Sequence, residues 1–579
     1  MKGIIKKRAL LLLFILALVL RVTGQTKEEK KYNLAIGFRL GLLMDPALEG
    51  YFEMTKKKIL EYDVDEVRIY GGGNAITYKY LDIEGFPEID KKGNPEELAK
   101  YKKGLKWFKD HGIRITLSGG EPSLPGMDYY SNDENSFFNL YPEAKYLDNG
   151  LLWKFYEERT YALFKTFPEV DATDFFLWET PILDDLNYFP GIKWQKPITW
   201  HKGENQYYSQ ADYLTEFMAA VIKGANRAGK DFSILTFSHY PYQENLLLEA
   251  LKELERRNES FLMVHKSQPG DWDPYKGPNN IMMRTQTKAS ILFDGVGEYW
   301  GRSLVPYCFP EEIQTRVQHA IEHNKSIKTL AMRTYWEDNQ TLFNNFNEIN
   351  LYALARFTKD PYVNVEDVWK DWATEKFGEA AAPTMIKVLK RTNDIGNLVY
   401  YFKGVWVQEH SRIASLDYMT GQVLHTGKSI MKWNPDDIKN NALIEAFVYN
   451  PTEEIIHMAI ADRKEALAMC QKSISDVASI KKSLSKEAYQ KINGELLLME
   501  DFIKISMPHI EAYLRYVINR DRPTKENLVS LTKSLNGLKE LAHTMDKKYG
   551  TENYLVSGDR IMNFVSDIEK RIAGTALGK

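Results

Sequence analysis

The sequence predicts an α/β fold: a closed (β/α)8 TIM barrel followed by an α-helical C-terminal domain. Three observations predict it. Short apolar or β-branched runs, closed by polar, Gly or Pro residues, alternate with amphipathic helical patterns through the first half of the chain. The runs come to eight, the count that closes a parallel barrel, and no phosphate-binding loop supports the rival doubly wound sheet. From roughly Asn345 the strand signals stop and long helical periodicities take over. These observations divide the chain into residues 1–24, a barrel over residues 32–344 and a helical domain over residues 345–579.

The first segment carries Lys2, Lys6, Lys7 and Arg8, then an apolar stretch from Ala9 to Leu20, then Val22-Thr23-Gly24 ahead of Gln25. The stretch is too short to span a bilayer, and the pattern is that of a cleavable secretory signal, so residues 1–24 imply export to the periplasm or the medium. No later segment is long and apolar enough to cross a membrane. The expected strands are Leu34–Arg39, Glu66–Tyr70, Arg114–Ser118, Phe175–Trp178, Ser233–Phe237, Leu262–His265, Ser290–Phe293 and Lys328–Met332. Between them, Phe52–Tyr62, Lys100–His111, Leu152–Thr166, Ala211–Ala228, Glu244–Arg257 and Glu311–His323 carry apolar positions at helical spacing. The later helices are expected at Phe346–Phe357, Val365–Phe377, Ala382–Thr392, Glu453–Ile480, Lys486–Asn519 and Lys525–Lys547.

Composition narrows the function classes. With 579 residues and 44% hydrophobic content, the chain can bury a large core. A formal net charge of −3 and the lack of a long basic run argue against nucleic acid as a partner. Aromatics make up 13%, which suits a sugar-stacking cleft and a large aromatic core equally well. Cys308 and Cys470 read as ordinary buried thiols, since two distant cysteines make no disulfide framework. No zinc-spaced Cys/His cluster and no EF-hand loop occur, so neither a metal nor a cofactor is expected.

In a barrel of this kind the C-terminal ends of the strands form the active face. The residues there are Arg39, then Gly71-Gly72-Gly73-Asn74, then Ser118-Gly119-Gly120-Glu121, then Trp178 and Glu179, then His239 and Tyr240. The last three strands give Lys266 and Asp271, then Asp294, Glu298, Tyr299 and Trp300, then Arg333, Tyr335, Trp336, Glu337 and Asp338. Carboxylates and aromatics dominate. That is the inventory of glycoside hydrolysis, in which one carboxylic acid protonates the leaving oxygen and a second carboxylate activates water or attacks carbon. Plain structural readings exist too. The glycine triplet lacks a Lys-Ser/Thr ending and reads as a tight turn. A single histidine such as His239 is more often a hydrogen-bonded loop residue, and Glu121 and Glu337 read as surface carboxylates equally well.

Three stretches resemble the α-glucuronidase family of glycoside hydrolases, family 67. HKSQPGDW, His265 to Trp272, resembles the family's strand-six pattern K-x-x-P-x-D. GEYWGR, Gly297 to Arg302, resembles its Q-E-Y-L-G-Q. FNNFNEINLYALARFTKDP, Phe343 to Pro361, followed by VEDVWKDWATEKFG, resembles its junction from barrel to helical domain. Order and spacing agree, and weaker likeness runs from about Asp63 to Gly378. The resemblance implies inverting hydrolysis, with Glu179 as general acid and Asp271 and Glu298 holding and deprotonating the attacking water. It implies a separation of roughly 6.5–9.5 Å between acid and base. It leaves open which of Asp271 and Glu298 is the base, because neighbouring carboxylates titrate together. Phe175, Phe176, Leu177 and Trp178 would form a desolvating wall that keeps Glu179 protonated. The resemblance also implies a homodimer interface on the helical domain.

The sequence departs from the family at two cationic positions. Phe175 stands where the family carries a lysine four residues before the acid, and Phe237-Ser238-His239 stands where it carries an arginine. Lys266 remains of that set, with Arg302 or Arg333 as replacements for the missing charge. The expected substrate-binding residues are Lys266, Trp178, His239, Tyr299, Trp300, Arg302, Arg333 and Trp336. The leading expectation is an exported, exo-acting glycoside hydrolase of acidic plant or algal oligosaccharides. A lyase or dehydratase acting on uronates at the same site is the second, using His239, Tyr240 or Tyr299 with Lys266 or Arg302. A glycan-binding protein on a degenerate barrel is the third.

Overall fold

The computed structural model describes residues 29–71, 80–89, 93–118, 124, 137–176, 209–285, 287–336 and 340–573. Eight parallel strands close into one barrel in chain order: β1 (Asn33–Arg39), β2 (Glu66–Tyr70), β3 (Arg114–Ser118), β4 (Ala172–Phe176), β5 (Asp231–Thr236), β6 (Leu262–Lys266), β7 (Ala289–Asp294) and β8 (Ile327–Arg333). The ring closes where β1 pairs with β8, with Ala35 opposite Ala331. The helices that pack outside are α1 (Glu49–Glu61), α2 (Pro95–Asp110), α3 (Leu151–Thr166), α4 (Gln210–Arg227), α5 (Pro241–Arg256), α6 (Pro310–His323) and α7 (Glu348–Lys359). Between β6 and β7 the described residues form only a one-turn helix, Ile281–Arg284.

Local chemistry starts these helices where they start. The Asn94 side chain accepts from Glu96 N ahead of Pro95, and Ser209 and Asp212 form a reciprocal capping box on α4. Pro241 and Pro310 occupy first turns, where a missing N–H costs nothing.

β4 begins three residues earlier than the sequence reading placed it. Asp174 reads as a break in an apolar run, yet it is fully buried. Arg68 lies 3.4 Å from it and Ser118 donates to it at 2.7 Å. Arg68 also pairs with Glu66 and donates to Ser290. The barrel interior therefore holds a polar cluster in which the buried Arg68 charge faces the Glu66 and Asp174 carboxylates, while its Nε has no hydrogen-bond partner among the described residues. Phe175 packs its ring on Phe217 of α4 and Phe232 of β5, in the layer between strands and helices. Phe175 itself therefore faces the surrounding helix and not the barrel mouth. Leu177, Trp178 and Glu179 lie outside the described residues.

The helical region begins with α8 (Val365–Phe377) and α9 (Ala382–Tyr400). A short hairpin follows, β9 (Tyr401–Phe402) with β10 (Val405–Trp406). It continues with α10 (Leu416–Trp433), α11 (Ile438–Tyr449), α12 (Glu453–Ser479), α13 (Lys486–Asp521), α14 (Lys525–Tyr549) and α15 (Gly558–Ala573). The sequence reading leaves α10, α11, α15 and the hairpin unassigned. Cys308 and Cys470 are both buried and free. Burial pushes the Cys470 thiol up to about 12. No described helix is long and apolar enough to cross a membrane.

Candidate active site

The described mouth of the barrel is built from the ends of β5 to β8 and from the helical region beside them. Lys266 ends β6, and the loop after it turns at Gly270, where φ is +68. A Cβ at Gly270 would meet Ser238 O at 2.9 Å, so only glycine lets the loop press this close and deliver Asp271. Asp271 is half-buried. Its Oδ1 is 3.9 Å from Lys266 Nζ and its Oδ2 is 3.9 Å from His239 Nδ1. The Trp272 ring takes Lys266 Nζ at 4.4 Å, and Phe237 takes it at 4.2 Å. Aromatic faces thus contribute to the electrostatic environment of this buried ammonium beside the long ion pair to Asp271.

The β7 loop brings the second carboxylate. Asp294, the last residue of β7, accepts from Val296 N and from Glu298 N, which folds the loop back on itself. Arg333, the last residue of β8, lies 2.7 Å from Asp294 and 2.8 Å from Glu298. Its guanidinium also lies 5.7 Å from the Trp272 ring, the ring that carries Lys266. Asp271 and Glu298 are therefore joined through Lys266, Trp272 and Arg333 into one constellation. Trp336 takes the Arg333 and Arg39 guanidiniums, each at 3.9 Å.

Electrostatics separates the two carboxylates. Burial alone would raise the Glu298 carboxyl. The Arg333 charge, the His410 hydrogen bond and the Arg302 charge together hold it well below the usual carboxylate range. Glu298 is thus a fixed anion and cannot serve as a proton donor. Asp271 has ion pairs only at 3.9 Å, so its oxygens are the less engaged of the two.

The helical region contributes two histidines that the sequence reading does not single out. His410 Nδ1 lies 3.1 Å from Glu298 Oε1. A carboxylate only accepts, so Nδ1 carries the proton. His425, on α10, stands 3.3 Å from His239 Nδ1 through Nε2, and 3.0 Å from the Tyr240 hydroxyl through Nδ1. Burial holds His425 well below its ordinary value, with His239 and Lys276 adding to the shift, so it is neutral. Ser429 and Trp433 of α10 both donate to the His239 carbonyl, which fixes the β5 loop against the helix. The sequence signal for His410 is the polar run Gln408 to Arg412 after Trp406, and no comparable run marks His425.

The structure brings together Asp271, Glu298, Lys266, His239, Arg333 and Trp336. Of the other expected residues, Tyr299 and Arg302 lie beside the Glu298 cluster, Tyr299 stacked on His410 and Arg302 near enough for its charge to act on Glu298, while Trp300 is in the core. Tyr299 packs on Trp406 of β10 at 3.8 Å. Trp300 is buried and stacks on Tyr307 at 4.7 Å, with their planes 1° apart. Arg302 donates to Gln340 at 3.2 Å and lies over the Tyr554 ring at 5.0 Å. Glu179, Trp178, Glu121, Glu337 and Asp338 fall outside the described residues. Among the described residues no group of three or more His, Cys, Asp or Glu side chains could hold a metal ion.

No protein-family model matches the chain, and no curated protein matches it. Solved structures do. The fold is similar to that of a GH138 enzyme targeting pectin rhamnogalacturonan II, with a TM-score of 0.57 and 10% identity over 97% of this chain and 70% of that one. A mutant O-GlcNAc hydrolase from Thermobaculum terrenum aligns over 94% of both chains, with a TM-score of 0.42 and 13% identity. These structural neighbours are carbohydrate-active enzymes. At such identities the likeness is one of fold.

Proposed function

We propose that this protein is a glycoside hydrolase acting on oligosaccharides that carry an acidic sugar. The observation that carries the reading is the convergence of Asp271 and Glu298, from successive barrel loops, on one core of Trp272, Lys266 and Arg333. Water forms the new bond to the anomeric carbon as the glycosidic C–O bond breaks. Asp271, the less engaged carboxylate, takes the water's proton. Glu298 stays ionised, accepts a hydrogen bond from the water and stabilises the positive charge that develops on the sugar ring. The leaving oxygen needs a proton donor, the role that the resemblance to the α-glucuronidases gives Glu179. A single displacement of this kind inverts the anomeric centre. Lys266 and Arg333 supply positive charge for a sugar carboxylate, and Trp336 an aromatic face. Removal of a terminal sugar by an exported enzyme is the fuller form of the reading, with residues 1–24 as the secretory signal.

Product analysis by mass and NMR on a panel of acidic oligosaccharides tests this. The expected product carries one added water per cleaved bond and an inverted anomeric hydroxyl. The chain Tyr240–His425–His239, ending beside Asp271, favours one second reading. Elimination next to a sugar carboxylate needs a base, an acid and a neutralising cation, and these groups with Lys266 could supply them. An unsaturated, ultraviolet-absorbing product with no added water would establish that reading and end the first.

A further inference from the structure

We propose that His410 is a positioning residue for the reaction, so that the helical region is a working half of the active site; this rests on the hydrolase reading above. Glu298 sits at the end of a mobile type of side chain, on a loop rather than on a strand. Arg333 fixes only Oε2, at 2.8 Å. A carboxylate held by one oxygen still turns about its last bond. His410 closes that freedom by donating to Oε1 at 3.1 Å.

The backbone around His410 is built for the purpose. His410 and Ser411 both have positive φ, +46 and +74, a conformation that non-glycine residues adopt only when the surroundings hold them in it. Contacts from two separate segments hold it there. Tyr554, between α14 and α15, donates its hydroxyl to the His410 carbonyl at 2.9 Å. The Ser411 hydroxyl donates to Glu298 O at 2.7 Å and accepts from Gly301 N at 2.8 Å, so both main chain and side chain of Glu298 are tied to the helical region. The His410 ring stacks on Tyr299 at 5.7 Å, and Tyr299 in turn packs on Trp406 of the hairpin. This accounts for Tyr299 as a support for the imidazole.

The test compares wild type, His410→Ala and His410→Gln on whichever acidic oligosaccharide the wild-type enzyme hydrolyses, with thermal melts alongside. We expect kcat to fall 10- to 100-fold in His410→Ala with KM changed less than 3-fold. Added imidazole should restore part of the loss, and His410→Gln, which keeps a donor, should lose less. Should His410→Ala fail to fold, Tyr554→Phe gives the reading instead: it leaves the imidazole in place, loosens its backbone and should lower kcat several-fold. Variants with wild-type kcat, or a loss that tracks the melting temperature and ignores imidazole, would overturn the proposal. A wild-type enzyme that hydrolyses none of the panel overturns the hydrolase reading itself, a different result from a silent His410 substitution.

Discussion

Arg333 holds Glu298 through a single nitrogen, Nη2 to Oε2 at 2.8 Å, while the same nitrogen lies 2.7 Å from Asp294. One buried guanidinium thus serves two buried carboxylates, and its removal takes the ion pair from Asp294 and leaves Glu298 to His410 and the Arg302 charge. Arg333→Met should cost about 3–5 kcal/mol of stability, the range for breaking a buried pair, and lower turnover at least 100-fold. Denaturant titration with steady-state kinetics measures both. A variant as stable as wild type would mean the two acids find other partners.

The depressed Glu298 carboxyl makes a pH prediction. A group whose folded value lies below its unfolded value, about 4.3 for glutamate, adds stability that is present above that pH and is lost as pH falls through the folded value. The stability advantage of wild type over Glu298→Gln should therefore shrink as the solution is acidified from about pH 5 to about pH 3. Equal advantage across that interval would argue against the ion pair.

Asp271 is expected to dominate the chemistry but not the fold. It is half-buried and its ion pairs are long, so Asp271→Asn should change stability by less than about 1 kcal/mol. As general base its loss should lower kcat by about 10²- to 10⁴-fold. If Glu298→Gln loses far more activity than Asp271→Asn, the base is Glu298.

Gly270 sets the reach of Asp271. Its φ of +68 and the 2.9 Å contact that a Cβ would make with Ser238 O are both incompatible with alanine. Gly270→Ala should cost about 1–3 kcal/mol and reduce kcat roughly 10-fold or more by moving Asp271. Thermal melts and kcat should fall together, and a fall in stability alone would detach the turn from catalysis.

His265 loses its stabilisation in the same direction as Glu298, on acidification, but starting from a higher pH. Burial lowers its imidazole to about 3, against about 6.5 in the unfolded chain. It is neutral when folded, and the unfolded chain gains a proton below about pH 6.5, so stability is full above that pH and drops as pH falls. Relative to His265→Leu, wild type should lose about 1.4 kcal/mol per pH unit below about pH 6. Urea titrations at successive pH values measure this, and a constant difference would mean the histidine is charged in the fold.

The barrel was legible because its signal is local. Strands such as Glu66–Tyr70 and Arg114–Ser118 are short buried runs, and their bounds match the sequence reading residue for residue. The start of β4 was not legible, because Asp174 is polar and only Arg68 and Ser118, distant in sequence, make it a lumen residue. α10 was hidden for a similar reason. Gln422, His425, Thr426 and Ser429 are all buried on it beside Met419, Val423 and Ile430, so polar residues interrupt the apolar positions of its buried face. α15 differs. Its stripe of Ile561, Phe564, Val565 and Ile568 has helical spacing that the sequence displays openly.

By itself the sequence determined the eight-stranded barrel, the helical region after it and the strand-end acids Asp271 and Glu298, since periodicity and position along a strand are properties of neighbouring residues. Tertiary structure alone decided that Glu298 is a fixed anion and that Trp300 is a core residue. It alone decided that His410 and His425 reach the barrel mouth from residues more than a hundred positions away. The physical reason is that charge state and accessibility are set by what folds against a side chain. For Glu298 those groups come from β8 and from the helical region, and no spacing along the chain announces them.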